Sequence, residues 1–212
     1  MKIKSFTFNP FQENTYIVYD NSNECIIIDP GCYTEGEREE LKQFIVKQNL
    51  KPVKLINTHC HIDHILGNRF IVNQWGIKLY IHKADLPTLE NAENIAKMYG
   101  FENYEKSPSP EHFLEENDII TFGESDFKIL FTPGHAPGHI CLYNKKNNLL
   151  FGGDLIFQSS IGRTDLPGGN YETLIQSISN KIFPLSNETK IYCGHGPSTN
   201  LGHEKETNPF LV

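Results

Sequence analysis

Residues 53–64 read VKLINTHCHIDH. The short run Val53–Ile56 has the composition of a strand, and the six positions that follow Thr58 hold His59, His61, Asp63 and His64. With nine histidines in 212 residues, random placement produces H-x-H-x-D-H in about six chains per ten thousand, so the cluster reads as functional. His59 and His61 are two apart in an extended segment, which sends both rings to one side. Asp63 and His64 stand where the chain bends into a helix and can turn toward the same pocket. Neutral imidazoles and a carboxylate at this spacing suit a divalent first-row metal ion.

Further along the chain, three more side chains share one local grammar. His135 in FTPGHAPGH, Asp154 in LLFGGD and His195 in IYCGHG each end a strand and border glycine. Glycine lets backbone approach a crowded centre, and functional side chains collect where strand ends converge. Five histidines and two aspartates are too many for one tetrahedral ion. Two ions sharing one bridging carboxylate use all seven. Two zinc ions bring four positive charges; two aspartates and a hydroxide remove three. The remaining positive centre polarises a carbonyl and steadies an oxyanion or thiolate. Ion binding also lowers the pKa of water to about 7, which points to hydrolysis. Asp63 and Asp154 are the catalytic candidates, Asp63 as the group that orients the nucleophile. His139, four residues after His135, is expected to support the site rather than bind metal. Cys60 is expected to pack in the core, and His82, His112 and His203 to be surface or capping residues.

Composition narrows the partners. A net charge of −7 without a lysine or arginine run disfavours a nucleic-acid surface. No window approaches eighteen apolar residues, so no membrane span is expected, and the amino-terminal stretch has no signal-peptide h-region. Five scattered cysteines (Cys25, Cys32, Cys60, Cys141, Cys193) without a C-x-x-C pair read as free thiols in a reducing, cytoplasmic setting. Oligomeric state is not legible.

The element pattern is strand-rich in two batches. IKSFTF, TYIVYD and CIIIDPG read as strands, then TEGEREELKQFIVKQ as a helix with Thr34 and Glu37 in a capping box. HILGNRFIVNQWG reads as one helical stretch and IKLYIH as a strand. Residues 85–117 read as a short helix and a polar surface insertion, suited to a lid. Strands resume with DIITF, FKILFTPG, ICLYN and NLLFGGD, followed by a helix at YETLIQSISNKIF and a last strand, KIYCGHG. The pattern favours one domain over residues 1–212, two sheets face to face with helices outside.

The ordered set T-H-x-H-x-D-H, P-G-H, G-D and G-H-G resembles the signature of the metallo-β-lactamase superfamily, and within it compact bacterial proteins similar to glyoxalase II (hydroxyacylglutathione hydrolase). The resemblance implies an α+β fold, an αββα sandwich of two mixed β-sheets with helices on both outer faces. It implies a binuclear site: His59, His61 and His135 on one ion, Asp63, His64 and His195 on the other, Asp154 between them. The ions are expected to be zinc, with iron or manganese as alternatives. Asp29 in DPG matches a position that orients site groups. SSIGRTDLPGG matches a G-R-x-D segment in which Arg163 grips a substrate carboxylate, steadied by Asp165; an ion pair between the two is the competing reading. Only 17 residues follow His195, so the glutathione-binding helical domain of full-length glyoxalase II is expected to be missing. The function implied is cleavage of a small-molecule thioester. The alternatives are a mononuclear Fe(II) persulfide dioxygenase using His59, His135 and Asp154, and a non-catalytic metal-binding module.

Overall fold

The computed structural model describes residues 1–212. Six strands form the first sheet: β1 (Lys2–Phe8), β2 (Glu13–Tyr19), β3 (Glu24–Ile28), β4 (Lys51–Ile56), β5 (Leu79–Ile81) and β6 (His112–Phe113), in that spatial order. Its first half is an antiparallel meander. From β3 onward the pairs are parallel because helices cross between them. Those crossovers are α1 (Glu35–Lys47), then α2 (Ile62–Ile65) and α3 (Asn68–Trp75), then α4 (Leu86–Glu90) and α5 (Ala92–Met98). The second sheet contains β7 (Ile119–Phe122), β8 (Ser125–Phe131), β9 (Ile140–Asn144) and β10 (Leu149–Gly153). A hairpin of β11 (Ile156–Phe157) and β12 (Ser160–Ile161), then α6 (Tyr171–Ser177), lead to β13 (Lys190–Cys193) and β14 (Thr199–Asn200), and α7 (Leu201–Thr207) closes the chain. The second sheet runs β14-β13-β10-β9-β8-β7, parallel only between β10 and β13.

Strand alternation assigns the layers. In β3, Ile26 and Ile28 point inward and meet Phe127, Ile129, Leu142 and Phe151 of the second sheet. Cys25 and Ile27 point outward and pack with Leu41 and Ile45 of α1. The run CIII is therefore apolar throughout because both faces are covered. The second sheet repeats the arrangement: Leu130, Cys141 and Leu150 pack outward against Leu174 of α6 and Ile178 and Ile182 beyond it. Two mixed sheets with helices on both outer faces make the αββα sandwich of the metallo-β-lactamase fold.

Local expectations hold at α1, where Thr34 accepts from Glu37 N–H and the Glu37 carboxylate accepts from Thr34 N–H. All five cysteines are free and buried. No helix is long and apolar enough to cross a membrane. Elsewhere the structure revises the reading. The stretch after Asp63 is two helices, not one, broken at Gly67, whose N–H turns to the Pro30 carbonyl at 2.7 Å. Residues 85–117 are anchored at both ends, by the wholly buried Asp85 and by β6, which extends the first sheet. The helix at 171–183 loosens into a π turn after Ser177. The last strand is followed by α7, capped by the Asn200 side chain.

Polar ties join the sheets at their edge, the most extensive of them at Asp20. Asp20, in the β2–β3 turn, accepts from Ser22 N and Oγ, and from Glu124 N and Ser125 Oγ in the β7–β8 turn.

Candidate metal centre

The seven side chains singled out by pattern all reach one end of the sandwich. The loop after β4 carries His59 and His61; α2 carries Asp63 and His64; the β8–β9 loop carries His135; the ends of β10 and β13 deliver Asp154 and His195. His135 Nε2 lies 2.9 Å from His61 Nδ1 and 3.2 Å from His59 Nε2. His195 Nε2 lies 3.1 Å from Asp63 Oδ2, which is 3.6 Å from His64 Nε2. Asp154 spans the two groups: Oδ1 is 3.5 Å from His64 Nε2, and Oδ2 is 3.4 Å from His135 Nε2 and 3.5 Å from His195 Nε2.

Hydrogen bonds behind the rings set which nitrogen faces inward. His135 donates from Nδ1 to the Arg163 carbonyl at 2.7 Å, leaving its lone pair on Nε2. His195 donates from Nδ1 to the Phe11 carbonyl at 3.0 Å, so its Nε2 lone pair faces the Asp63 carboxylate. Two electron-rich atoms 3.1 Å apart repel unless a proton or a cation lies between them. Both ring nitrogens of His64 and Asp154 Oδ1 are buried without a hydrogen-bond partner, a costly state that an ion at Nε2 and Oδ1 relieves. The donor set therefore fits a pair of divalent cations: nitrogens at close mutual range, carboxylate oxygens and buried polar atoms without partners around a common centre.

Asp29 also lies within reach of His59 and His64, but its geometry is that of an orienting group. Its oxygens accept from Thr58 N at 2.7 Å and Thr58 Oγ at 2.6 Å, and it faces the outer nitrogen of His64, Nδ1, at 3.1 Å. Asp29 takes a φ of 48°, a left-handed conformation that Asp tolerates better than most residues.

Electrostatics differ between the groups. Burial, reinforced by the neighbouring imidazoles, pushes His59 well below its usual pKa, and burial with His135 takes His61 to about 4. These rings are neutral donors at physiological pH. Burial alone would lower His64, yet Asp63 and Asp154 carry it well above its usual value. Asp154, which burial would raise, is held far below the ordinary carboxylate range by His64, His135 and His195. Metal entry at the Asp63, His64 and His195 group thus displaces protons.

His139 is wholly buried and does not face the cluster. Its Nε2 accepts the Asp154 N–H at 3.1 Å and its Nδ1 pairs with Thr132 Oγ at 2.9 Å. Burial with the nearby His135 holds its pKa down to about 3, so it stays neutral and able to accept. Close approach explains two glycines. Gly153 has a φ of 48°, and a Cβ there would meet Thr58 Oγ and His139 Nε2 at 2.6 Å. A Cβ on Gly194 would run into Asp154 Oδ1 and His64 Cε1. Arg163 and Asp165 form a two-bond ion pair at 2.7 and 2.8 Å on the surface beside the cluster. Cys60 packs in the outer core. His82 caps its helical turn through Ala84 N–H, His112 stacks on Tyr80, and His203 is exposed on α7.

Several residues with no local signal also build the centre. Asp85 accepts from Cys60 N at 2.5 Å and Gly138 N at 2.7 Å, joining the loop of His59 to the loop of His135. Asn57 donates to the His64 carbonyl and is itself held by Asn68. Glu13 is wholly buried, 4.0 Å from His64 Nδ1. Asn14 donates from its side chain to the Cys193 and Gly196 carbonyls at 3.1 and 2.7 Å, and from its backbone to Gly194 O at 2.7 Å.

The family model of the metallo-beta-lactamase superfamily matches residues 8–195, which contain every member of the cluster. The chain belongs to the metallo-beta-lactamase superfamily. Superfamily relatives include Hydroxyacylglutathione hydrolase GloC of Haemophilus influenzae, 36% identical over all of this chain and 98% of that protein. The solved structure of BLEG-1 B3 metallo-beta-lactamase is 36% identical, covers 100% of both chains and superposes with a TM-score of 0.91. That of TTHA1623 in a di-iron-bound form is 38% identical, covers 98% of this chain and 100% of the other, with a TM-score of 0.88. The chain is thus a metallo-hydrolase of this superfamily with a His/Asp metal-binding cluster.

Proposed function

We propose that this protein is a binuclear metallo-hydrolase that cleaves thioesters. The observation that carries the reading is the assembly of two three-residue groups, His59/His61/His135 and Asp63/His64/His195, with Asp154 within 3.5 Å of both. A mononuclear dioxygenase needs only two histidines and one carboxylate and leaves the second group without purpose. A closed structural site needs four ligands and no open cavity. Here His61, Asp63 and His195 line a cavity of about 700 Å³.

In this reading His59, His61 and His135 would hold one ion and Asp63, His64 and His195 the other, with Asp154 within reach of both groups. Bound there, the ions would supply Lewis acidity and lower the pKa of a water molecule to about 7. The protein's own contribution is placement. Asp63, tethered to His195, orients the attacking water from the open side of the cluster. His139 fixes the backbone of Asp154, the Arg163 carbonyl fixes His135, and the Asp29 carboxylate stands 3.1 Å from the outer nitrogen of His64. Water is the nucleophile: a C–O bond forms at the carbonyl carbon and the C–S bond breaks with its electron pair on sulfur. The products are a carboxylate and a thiolate, with the protons of water passing to solvent or, after departure, to sulfur. A thiolate departs without a dedicated acid, which suits a cluster built of bases. The name of the Haemophilus relative supports a hydroxyacyl thioester, and its match over 98% of its length means that a chain of this size carries that name without a further domain. Zinc is the proposed metal, with iron or manganese as alternatives.

Purified protein tests the reading. Two metal equivalents per chain, thioester cleavage including S-lactoylglutathione among the substrates, and no oxygen uptake are expected. One iron per chain with persulfide-driven oxygen consumption overturns it. Hydrolysis of a chromogenic cephalosporin with every thioester left intact moves the assignment to the chemistry named for the 36%-identical lactamase structure.

A further inference from the structure

The cavity over the metal cluster has a polar floor and apolar walls. The α5 wall presents Ala92, Ile95 and Met98, and Phe157, Ile161 and Leu166 also line the cavity. At the mouth Phe11 meets Tyr99 edge to face, with ring centroids 5.2 Å apart. Phe11, Met98 and Tyr99 are 40%, 74% and 45% exposed, an outlay of open apolar surface gathered at one cavity, which marks a binding face. Cations are scarce there. No lysine lines the cavity, and the one arginine, Arg163, already donates from Nε and Nη2 to Asp165. A glutathionyl group carries two carboxylates and an ammonium, and these walls offer such charges little.

We propose that the substrate is a thioester with an uncharged apolar arm, seated along the α5 wall between Ile95, Met98 and Phe157, in place of a glutathionyl group. This rests on the thioester-hydrolase reading above. The reaction is unchanged: water attacks the carbonyl carbon at the cluster while the arm lies in the cavity and reports only through binding. Each buried methylene of that arm is worth about a fourfold gain in affinity.

The test uses the metal-loaded full chain and two series of neutral thioesters. One lengthens the acyl group from acetyl to hexanoyl on N-acetylcysteamine; the other keeps acetyl and lengthens an alkyl thiol. S-Lactoylglutathione is the charged comparison. In one series kcat/KM is expected to rise about fourfold per methylene, carried mainly by KM, and the series that rises identifies the arm as acyl or thiol. Met98→Asp, at an exposed position, is expected to flatten that slope below twofold per methylene. The slope is a ratio within one variant, so a general loss of folded protein does not imitate it. Flat slopes in both series, a slope untouched by Met98→Asp, or S-lactoylglutathione outrunning the longest neutral ester overturn the proposal while the thioester reading stands. Cleavage of no thioester at all overturns both.

Discussion

Replacing Asp29 with asparagine asks whether the carboxylate behind His64 sets the second half of the centre. Asparagine is nearly isosteric and tolerates a φ of 48°, so backbone strain is not introduced. The native carboxylate accepts from Thr58 N–H and O–H and faces His64 Nδ1 at 3.1 Å. An amide keeps one acceptor and turns its NH₂ toward the others. A buried donor is then left opposite a donor, a cost of about 1.5–3 kcal/mol in the metal-free protein. The amide also removes a negative charge 3.1 Å from His64 Nδ1 and can face that nitrogen with a donor. This favours keeping a His64 proton on Nε2, the nitrogen that faces Asp63 and Asp154. Metal affinity at Asp63/His64/His195 is expected to fall about 10–100-fold, with a smaller change at His59/His61/His135. Competition with a chromophoric chelator resolves the two affinities, and denaturant unfolding of the metal-free protein reads the stability. Equal weakening of both ions, or unchanged affinities with an unchanged unfolding midpoint, refutes the tautomer reasoning.

Asp154→Ala is expected to lower turnover by about a thousandfold or more and to leave the circular dichroism of the metal-free protein largely intact; retained turnover contradicts the bridging role. Gly194→Ala drives a methyl into Asp154 and His64, and loss of at least one metal equivalent by elemental analysis is expected. Chelation of both ions should lower the melting temperature by about 10–20 °C if metal is present at about 100 times each site's dissociation constant. Burial opposes ionisation of Asp20, yet bonds from Ser22, Ser125 and Glu124 hold its pKa at about 2. A carboxylate depressed in the folded state stabilises above its unfolded pKa, and that stability drains as the pH falls from about 4 through 2. Asp20→Asn should therefore flatten acid unfolding in that window, and an unaltered profile disproves the contribution.

Much of the centre was legible because its residues carry local marks. His59 to His64 crowd six positions, and His135, Asp154 and His195 sit beside glycines that proximity to other backbone demands. The strands were legible for a related reason: Ile26 to Ile28 are covered on both sides, and α1 announces itself by its capping box. What escaped depends on partners distant in the chain. Asp85 looks like any acid in a polar stretch until Gly138, 53 residues later, is folded against it. Glu13 sits in an ordinary strand sequence, and only the approach of His64 gives it meaning. β6 is two residues long and exists only because β5 offers an edge. The break at Gly67 follows from a tertiary bond to Pro30 that helical periodicity does not encode.

Asn14 and Phe11 hold carbonyls and a ring nitrogen that lie between 179 and 184 positions away. The first hairpin to leave the ribosome is thus the clasp for the last loop of the second sheet. His195 takes its place only after nearly the whole polypeptide has been made and its two halves have closed. A chain that stops short of His195 therefore has only part of the cluster to offer, and the cluster is complete only once β13 has joined the second sheet.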